Sequence, residues 1–201
     1  QDLGVTNFTL LERHEVGASF RRWPQEMRFI SPSFTSNGFG LLDLNAVTLN
    51  TSPAHTLQEE HPTGHDFARY LEAVSRHYAL PVQEGVEVYT VRRQGDGFRL
   101  FTSAGQLHSR FLIWAAGEFQ YPNRDPFAGA EHCIHNATVR SWRELAGDEF
   151  TVIGGYESGI DAAVNLVELG KRVRVLDDTT PWADQSPDPS LSLSPYTRGR
   201  L

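Results

Sequence analysis

The stretch Thr151–Asp178, TVIGGYESGIDAAVNLVELGKRVRVLDD, decides the fold because it reads as a strand, a glycine turn, an amphipathic helix and a second strand. Phe150, Val152 and Ile153 form an apolar run ending at Gly154-Gly155, where side chains would obstruct a tight turn, and Ser158-Gly159 opens the helix. Ile160, Ala163, Val164 and Val167 recur at helical spacing and predict the face that lies on a sheet. Gly170 closes the helix as a residue free to adopt positive φ, and Val173 and Val175 resume strand character. Asp177 then stands where an acid can hydrogen-bond a ribose hydroxyl. The free N–H groups and partial positive charge at the helix start, around Tyr156, Glu157 and Ser158, suit a pyrophosphate. In the G-x-G-x-x-G pattern the middle glycine lets the backbone approach that phosphate, and here Tyr156 takes its place. A phenol there must swing away or cover the anion. A strand-to-helix turn of an α/β domain with no ligand is the alternative reading of the same residues.

The chain opens with an echo of this unit. In QDLGVTNFTLLER, Leu3-Gly4 reads as a helix end, Phe8 to Leu11 as an apolar strand and Glu12 as an acid at the strand's end. VELGKRVRVLDD repeats that order with Leu169-Gly170, Val173 to Leu176 and Asp177, and its connection is one residue shorter. The opening therefore reads as the back half of a second βαβ unit. Such a unit needs about 30 residues, so a first strand and a glycine turn are expected ahead of Gln1. The stretch is expected to be a fragment.

Composition narrows the class. With 39% apolar residues the 201-residue chain can build a core, and 18 basic against 25 acidic residues give a net charge of −7. That balance argues against a nucleic-acid or anionic-membrane surface. No apolar run is long enough to span a bilayer. The single Cys133 excludes an intrachain disulfide within these residues, suits a reducing cytosol and reads as a packed thiol. Gly17 to Asn37 reads as an ordered loop crossing a cleft, Thr63 to Tyr78 as a helix, and the polar run Thr179 to Pro195 as an exposed connection. The helix carries Phe67, Tyr70, Leu71 and Val74 on one face, with Thr63 or Asp66 near its start. Strands are predicted at Val86 to Val91, Gly97 to Thr102 and Gly105 to Ala115. The apolar Phe111 to Ala115, leading into Ala116-Gly117, suits a central parallel strand. Trp114 and Trp142 read as core or domain-interface aromatics. His55, Glu59, Glu60, His61 and His65 are metal-ligand types, but Pro62 and Gly64 break any helical face and the spacing fits no zinc site, so no metal is predicted.

Leu10-Leu11-Glu12, Gly17-Ala18-Ser19-Phe20, the strand FLIWAAG (Phe111 to Gly117) and VIGGYESG (Val152 to Gly159) occur in an order that resembles flavoproteins with two dinucleotide-binding domains. Within that group the sequence is most similar to flavin-containing monooxygenase-like oxidoreductases. Gly17 to Phe20 resembles their Gly-Gly-x-Trp turn and Thr35 to Asn37 their Thr-Asn element beside the flavin. His135-Asn136 resembles their His-Ser, with two residues more than the family spacing from Phe127 and Gly129. The resemblance implies an α/β fold with Rossmann-like, three-layer parallel sheets. Residues 1–121 would be an FAD-binding domain and 122–201 the first part of an NAD(P)-binding domain, both incomplete.

Carried over, Glu12 binds the adenosine ribose of FAD, a role also expected of any acid ending a second Rossmann strand. The resemblance also puts Gly17, Ser19, Phe20, Ser36, Asn37, Val88, Ala116 and Gly117 at the FAD. Ser33, Thr35, Ser36 and Asn37 either line the isoalloxazine or hold their own loop together. Arg21 and Arg22 either face phosphates or are solvated. Gly154, Gly155, Tyr156, Glu157, Ser158, Gly159 and Asp177 would hold the nicotinamide dinucleotide, with NADH expected over NADPH. Asn37 is the flavin-side candidate for catalysis. The implied activity is a cytoplasmic flavin-dependent oxidoreductase, monooxygenase-like, that passes a nicotinamide hydride through FAD to oxygen or another acceptor. A thioredoxin-reductase-like reductase of a low-molecular-weight disulfide and a non-catalytic nucleotide-binding module are the alternatives. The isolated stretch is expected to be inactive and not to retain FAD. Expected partners are a small-molecule substrate or oxygen, with a second copy as a candidate and neither nucleic acid nor membrane.

Overall fold

The computed structural model describes residues 4–34, 43–49, 51–117, 121–184, 186–188 and 190–201. In chain order its elements are β1 (Leu10–Leu11), α1 (Ala18–Arg21), α2 (Pro53–Leu57), α3 (Gly64–His77), β2 (Val82–Gln83), β3 (Val88–Gln94), β4 (Gly97–Thr102), β5 (Gly105–Ser109), β6 (Glu149–Ile153), α4 (Glu157–Glu168), β7 (Arg172–Leu176) and α5 (Pro195–Arg198). Among the described residues, three single-turn 3-10 helices lie between β5 and β6. The chain divides into two units, Gln1–Arg21 with Ala68–Tyr121 and Arg22–Phe67 with Pro122–Leu201.

In the first unit β1 runs parallel to β2, with Leu10 opposite Val82 and Leu11 opposite Gln83. The hydrogen bonds continue one residue further, the Glu12 N–H donating to the Gln83 carbonyl and the Val86 N–H to that of Glu12. β3, β4 and β5 form an antiparallel meander in which Val91 faces Leu100 and Leu100 faces Leu107. Leu100 is its buried centre. The third strand stops at Ser109, so the central parallel strand expected over Phe111 to Ala115 is absent, and Phe111, Ile113 and Trp114 are 74%, 87% and 67% exposed. A buried parallel strand needs a partner along each edge. Among the described residues β1 and β2 pair only with each other. Trp114 is exposed, so of its two expected roles, core or domain-interface aromatic, the core one is ruled out.

α3 matches the predicted helix. Thr63 Oγ1 accepts the Asp66 N–H at 3.2 Å and donates to Asp66 Oδ2 at 2.5 Å, so the two residues cap the first turn together. Phe67 and Tyr70 are 5% and 1% exposed, with Leu71 and Val74 half-buried on the same face.

The second unit holds the βαβ unit. β6 and β7 are parallel and in register from Glu149–Arg172 to Ile153–Leu176, with α4 as the crossover. Two hydrogen bonds end the helix, Gly170 N–H to the Val167 carbonyl at 2.8 Å and Lys171 N–H to that of Leu166 at 3.0 Å, with Gly170 at φ +79°. This is the Schellman closure its glycine announces. One flank of α4 packs Ala162 and Leu166 on Val139 and Trp142, backed by Phe150, Val152 and Val173. The other packs Ile160 and Val164 on Leu193, with Val175 and Trp182. Ile160, Ala163 and Val164 are buried as predicted, but the buried arc also takes in Asp161 and Asn165 and leaves out Val167. Val167 is 56% exposed, while Asp161 and Asn165 are 7% and 5% exposed, because Arg200 reaches over them. Cys133 is exposed, not packed as expected. Trp142 is buried, 4% exposed.

Candidate functional site in the second unit

β6 delivers the chain to Gly154, whose N–H still bonds the Leu176 carbonyl at 2.8 Å and whose φ of +98° turns it away from the strand. Only glycine adopts that φ at little cost. Gly159 is required for a different reason. A Cβ there would lie 1.8 Å from the Gly154 carbonyl oxygen, so the missing side chain lets the first turn of α4 rest on the glycine turn. Gly155 is pressed from the other side, where an added Cβ would meet the Trp182 ring at 2.2 Å and Asp177 Cβ at 2.9 Å.

Asp177 closes the site. Its Oδ2 accepts the Gly155 N–H at 2.6 Å, while Oδ1 accepts the Thr179 hydroxyl at 2.7 Å and the N–H groups of Thr179 and Thr180 at 2.8 and 3.2 Å. The Thr179 hydroxyl is the largest cause, followed by the Thr179 and Gly155 N–H groups, of a carboxyl held down at about 2. Thr180 sits at φ +48°, an uncommon region for a β-branched residue, and still donates to Asp177. α4 begins with no side chain capping its first turn: Tyr156, at the N-cap position, makes no cap hydrogen bond and is 41% exposed. The Tyr156 side chain thus caps none of the N–H groups that head the helix. Glu157 is turned aside, accepting the Ser194 N–H and the Thr197 hydroxyl. Ser158 is exposed. An uncapped helix start, a glycine turn on positive φ and an ionised acid at the next strand end fit a dinucleotide.

The first unit carries most of the predicted FAD residues, on separate elements. Glu12 follows β1, and its Oε1 accepts the His14 N–H at 3.0 Å. Gly17, at φ +80°, backs onto α3 so closely that a Cβ would stand 2.7 Å from Ala68 Cβ. Ser19 and Phe20 lie on α1, Val88 opens β3, and Ala116 and Gly117 follow the exposed run, Gly117 at φ +74°. Arg21 pairs with Glu15 at 3.2 Å and with Glu72. Thr35, Ser36 and Asn37 lie outside the described residues. In the second unit, Ser33 is 3% exposed and its hydroxyl accepts from Asn45 Nδ2 at 2.8 Å, within a network that ties Ser31, Asp43 and Ser52 together. His61 bonds the Phe29 carbonyl at 2.7 Å and stacks on Tyr196, and Glu59 pairs with Arg28 at 2.6 Å.

The sequence reading missed Trp182, Thr179, Ser194, Thr197 and Arg200. Asp177 two residues before Thr179 is a recognisable Asx-type turn, and Ser194-Pro195 carries the serine N-cap and first-turn proline of a helix start. Trp182 and Arg200 leave no such local sign.

A parallel βαβ unit with this turn defines an α/β dinucleotide-binding fold. The chain belongs to the pyridine nucleotide-disulphide oxidoreductase family, which matches residues 1–201. FAD and NAD(P)H are the cofactors this membership carries. Among curated proteins it is similar to the uncharacterized oxidoreductase CzcO of Bacillus velezensis, 29% identical over 166 residues, which are 79% of this chain and 44% of that one. Among solved structures it is similar to the bacillithiol disulfide reductase of Staphylococcus aureus, with a TM-score of 0.64 and 25% identity over 94% of this chain and 53% of that one. It is also similar in fold to a flavin-containing monooxygenase from Stenotrophomonas maltophilia, with a TM-score of 0.63 and 17% identity over 96% of this chain and 66% of that one. The chain thus spans about half the length of the proteins it matches.

Proposed function

We propose that the protein is an FAD-dependent oxidoreductase driven by a nicotinamide dinucleotide, and that the turn Gly154–Gly159 with Asp177 holds the nicotinamide cofactor. The observation that carries this reading is the Asp177 carboxylate at the end of the second strand, bonded through Oδ2 to the Gly155 N–H of the glycine turn and held by its donors well below the usual carboxylate range. When bound, the cofactors supply hydride transfer from nicotinamide to flavin and two-electron transfer to the acceptor. This chain's residues bind and orient. The positive φ at Gly154 and the missing side chain at Gly159 let the N–H groups that head α4 approach the pyrophosphate, Asp177 Oδ2 accepts a ribose hydroxyl, and Tyr156 flanks the anion from the solvent side. In the first unit Glu12 takes the FAD ribose and Gly17 shapes the turn beside it, with residues 1–121 as the FAD domain and 122–201 as the start of the NAD(P) domain.

For the acceptor, oxygen in a monooxygenase-like reaction is the first reading. The 201 residues hold one cysteine, so they contain no dithiol through which electrons would be relayed. Asn37, beside the flavin by resemblance, is the hydrogen-bond donor to the reduced oxygen. A second reading, reduction of a low-molecular-weight disulfide, is favoured by the 25% identity to the bacillithiol disulfide reductase across 94% of the chain. NADH oxidation by the purified whole protein decides between them. Oxygen uptake that tracks NADH loss, with no gain on adding a small disulfide, supports the first. Anaerobic NADH oxidation that starts only when the disulfide is added supports the second, and neither reaction in protein that binds both cofactors returns the chain to a non-catalytic role.

A further inference from the structure

Glu157 poses an electrostatic problem that the C-terminal segment solves. It is the first residue of α4, in the turn where a pyrophosphate would meet the N–H groups. A carboxylate at that position is drawn to the same helix end and the same donors as the phosphate, and it repels the phosphate as a like charge. The structure holds it elsewhere. Its Oε1 accepts the Ser194 N–H, and its Oε2 accepts the Thr197 hydroxyl at 2.5 Å, with the Ser194 hydroxyl at 3.3 Å. Thr197 is 1% exposed, so its hydroxyl is committed to this contact. The same segment grips α4 twice more, Arg200 reaching Asp161 Oδ1 at 2.7 Å and Asn165 Oδ1 at 3.3 Å. Glu157, Asp161 and Asn165 are spaced at i, i+4 and i+8, one stripe of the helix, and residues 194–200 cover all three.

We propose that Ser194 and Thr197 are positioning residues for dinucleotide binding that act through Glu157, drawing its charge off the phosphate turn. This rests on the reading of Gly154–Gly159 as the nicotinamide site. With the Thr197 hydroxyl gone, the carboxylate loses its buried donor and competes for the helix N–H groups. Moving a unit charge from about 10 Å to about 5 Å from the phosphate at an effective dielectric near 20 weakens binding about tenfold.

The test is calorimetric titration of the oxidised whole protein with NAD+, using Thr197→Val, Glu157→Gln and the double variant, each checked for its melting temperature. Thr197→Val is expected to bind about tenfold more weakly, Glu157→Gln to bind more tightly than the unaltered protein, and the double variant to follow Glu157→Gln. The Thr197→Val deficit should also shrink as salt is raised from about 20 mM to 0.5 M, since added ions screen repulsion and do not repair lost packing. Thr197→Val binding like the unaltered protein, or a double variant as weak as Thr197→Val at every salt concentration, overturns the proposal while leaving the site reading standing. An unaltered protein that fails to bind NAD+ overturns both.

Discussion

Gly159→Ala isolates the contact on which the glycine turn is built. The added methyl would sit 1.8 Å from the Gly154 carbonyl oxygen and 2.8 Å from its carbon. That is about 1.5 Å inside van der Waals contact. The obstacle is backbone, so no rotamer change relieves it, and either the first turn of α4 lifts or the glycine turn opens. Overpacking costs about 1–3 kcal/mol, and an unyielding partner puts this case at the top of the range, about 3 kcal/mol. For a chain of this size each kcal/mol moves the midpoint by about 2–4 °C, so a fall of about 6–12 °C is expected in a calorimetric or circular-dichroism melt. Gly155→Ala is the control. There the nearest atoms are two Trp182 ring carbons at 2.2 and 2.8 Å and Asp177 Cβ at 2.9 Å. An indole on the rim of a half-buried cluster can swing outward. The expected cost is about half, about 1.5 kcal/mol, with a red shift of Trp182 emission as the ring meets water. Gly159→Ala melting within about 1 °C of the unaltered protein, or Gly155→Ala costing more than Gly159→Ala, refutes the claim that backbone approach at Gly159 sets the turn.

Other outcomes follow from the charged groups and the acid. Asp177 has a carboxyl lowered from 3.8 to about 2, so the stability it gives is complete above pH 3.8 and is lost as pH falls through about 2. Melts from pH 2 to pH 7 should therefore show Asp177→Asn below the unaltered protein at neutral pH, with the gap closing toward pH 2; a constant gap would show that its four donors do not read its charge. Asp161 is shifted the opposite way, raised by burial more than Arg200 lowers it, so ionising it opposes folding and the opposition grows as pH rises through its folded value. Arg200→Leu should cost about 2 kcal/mol at pH 7, less than for a fully buried pair because the Arg200 side chain keeps 17% exposure, and the loss should shrink as pH falls and Asp161 takes up a proton. A loss that does not vary with pH would assign the effect to packing alone. Steady-state kinetics should favour NADH over NADPH in kcat/KM, since a carboxylate at Asp177 meets a 2′-phosphate with repulsion, and Asp177→Ser should narrow the ratio; a clear NADPH preference in the unaltered enzyme would reverse that assignment.

The βαβ unit was legible because each of its signals is local. Strand alternation, positive-φ glycines at Gly154 and Gly170, and an acid at the next strand end all act within a few residues of themselves. Phe111 to Ala115 and Val167 misled for the opposite reason, since burial of a strand or a helix arc is fixed by what lies beside it. The apolar run finds no strand partner among the described residues, and a segment some thirty residues beyond α4 covers Asp161 and leaves Val167 in solvent. Asp177 shows both sides of this. Its position announces a ribose ligand, yet its Oδ1 already takes three hydrogen bonds from Thr179 and Thr180, which no dinucleotide pattern requires. A carboxylate offers about four acceptor directions. The loop fills Oδ1, and Oδ2, which accepts the Gly155 N–H, keeps a direction open. The saturated oxygen fixes the carboxylate against the turn so that the other is aimed in advance. An exchange to Ser should therefore cost both loop order and ribose affinity, whereas an exchange to Glu, which keeps the charge, should forfeit the loop bonds by reaching past them.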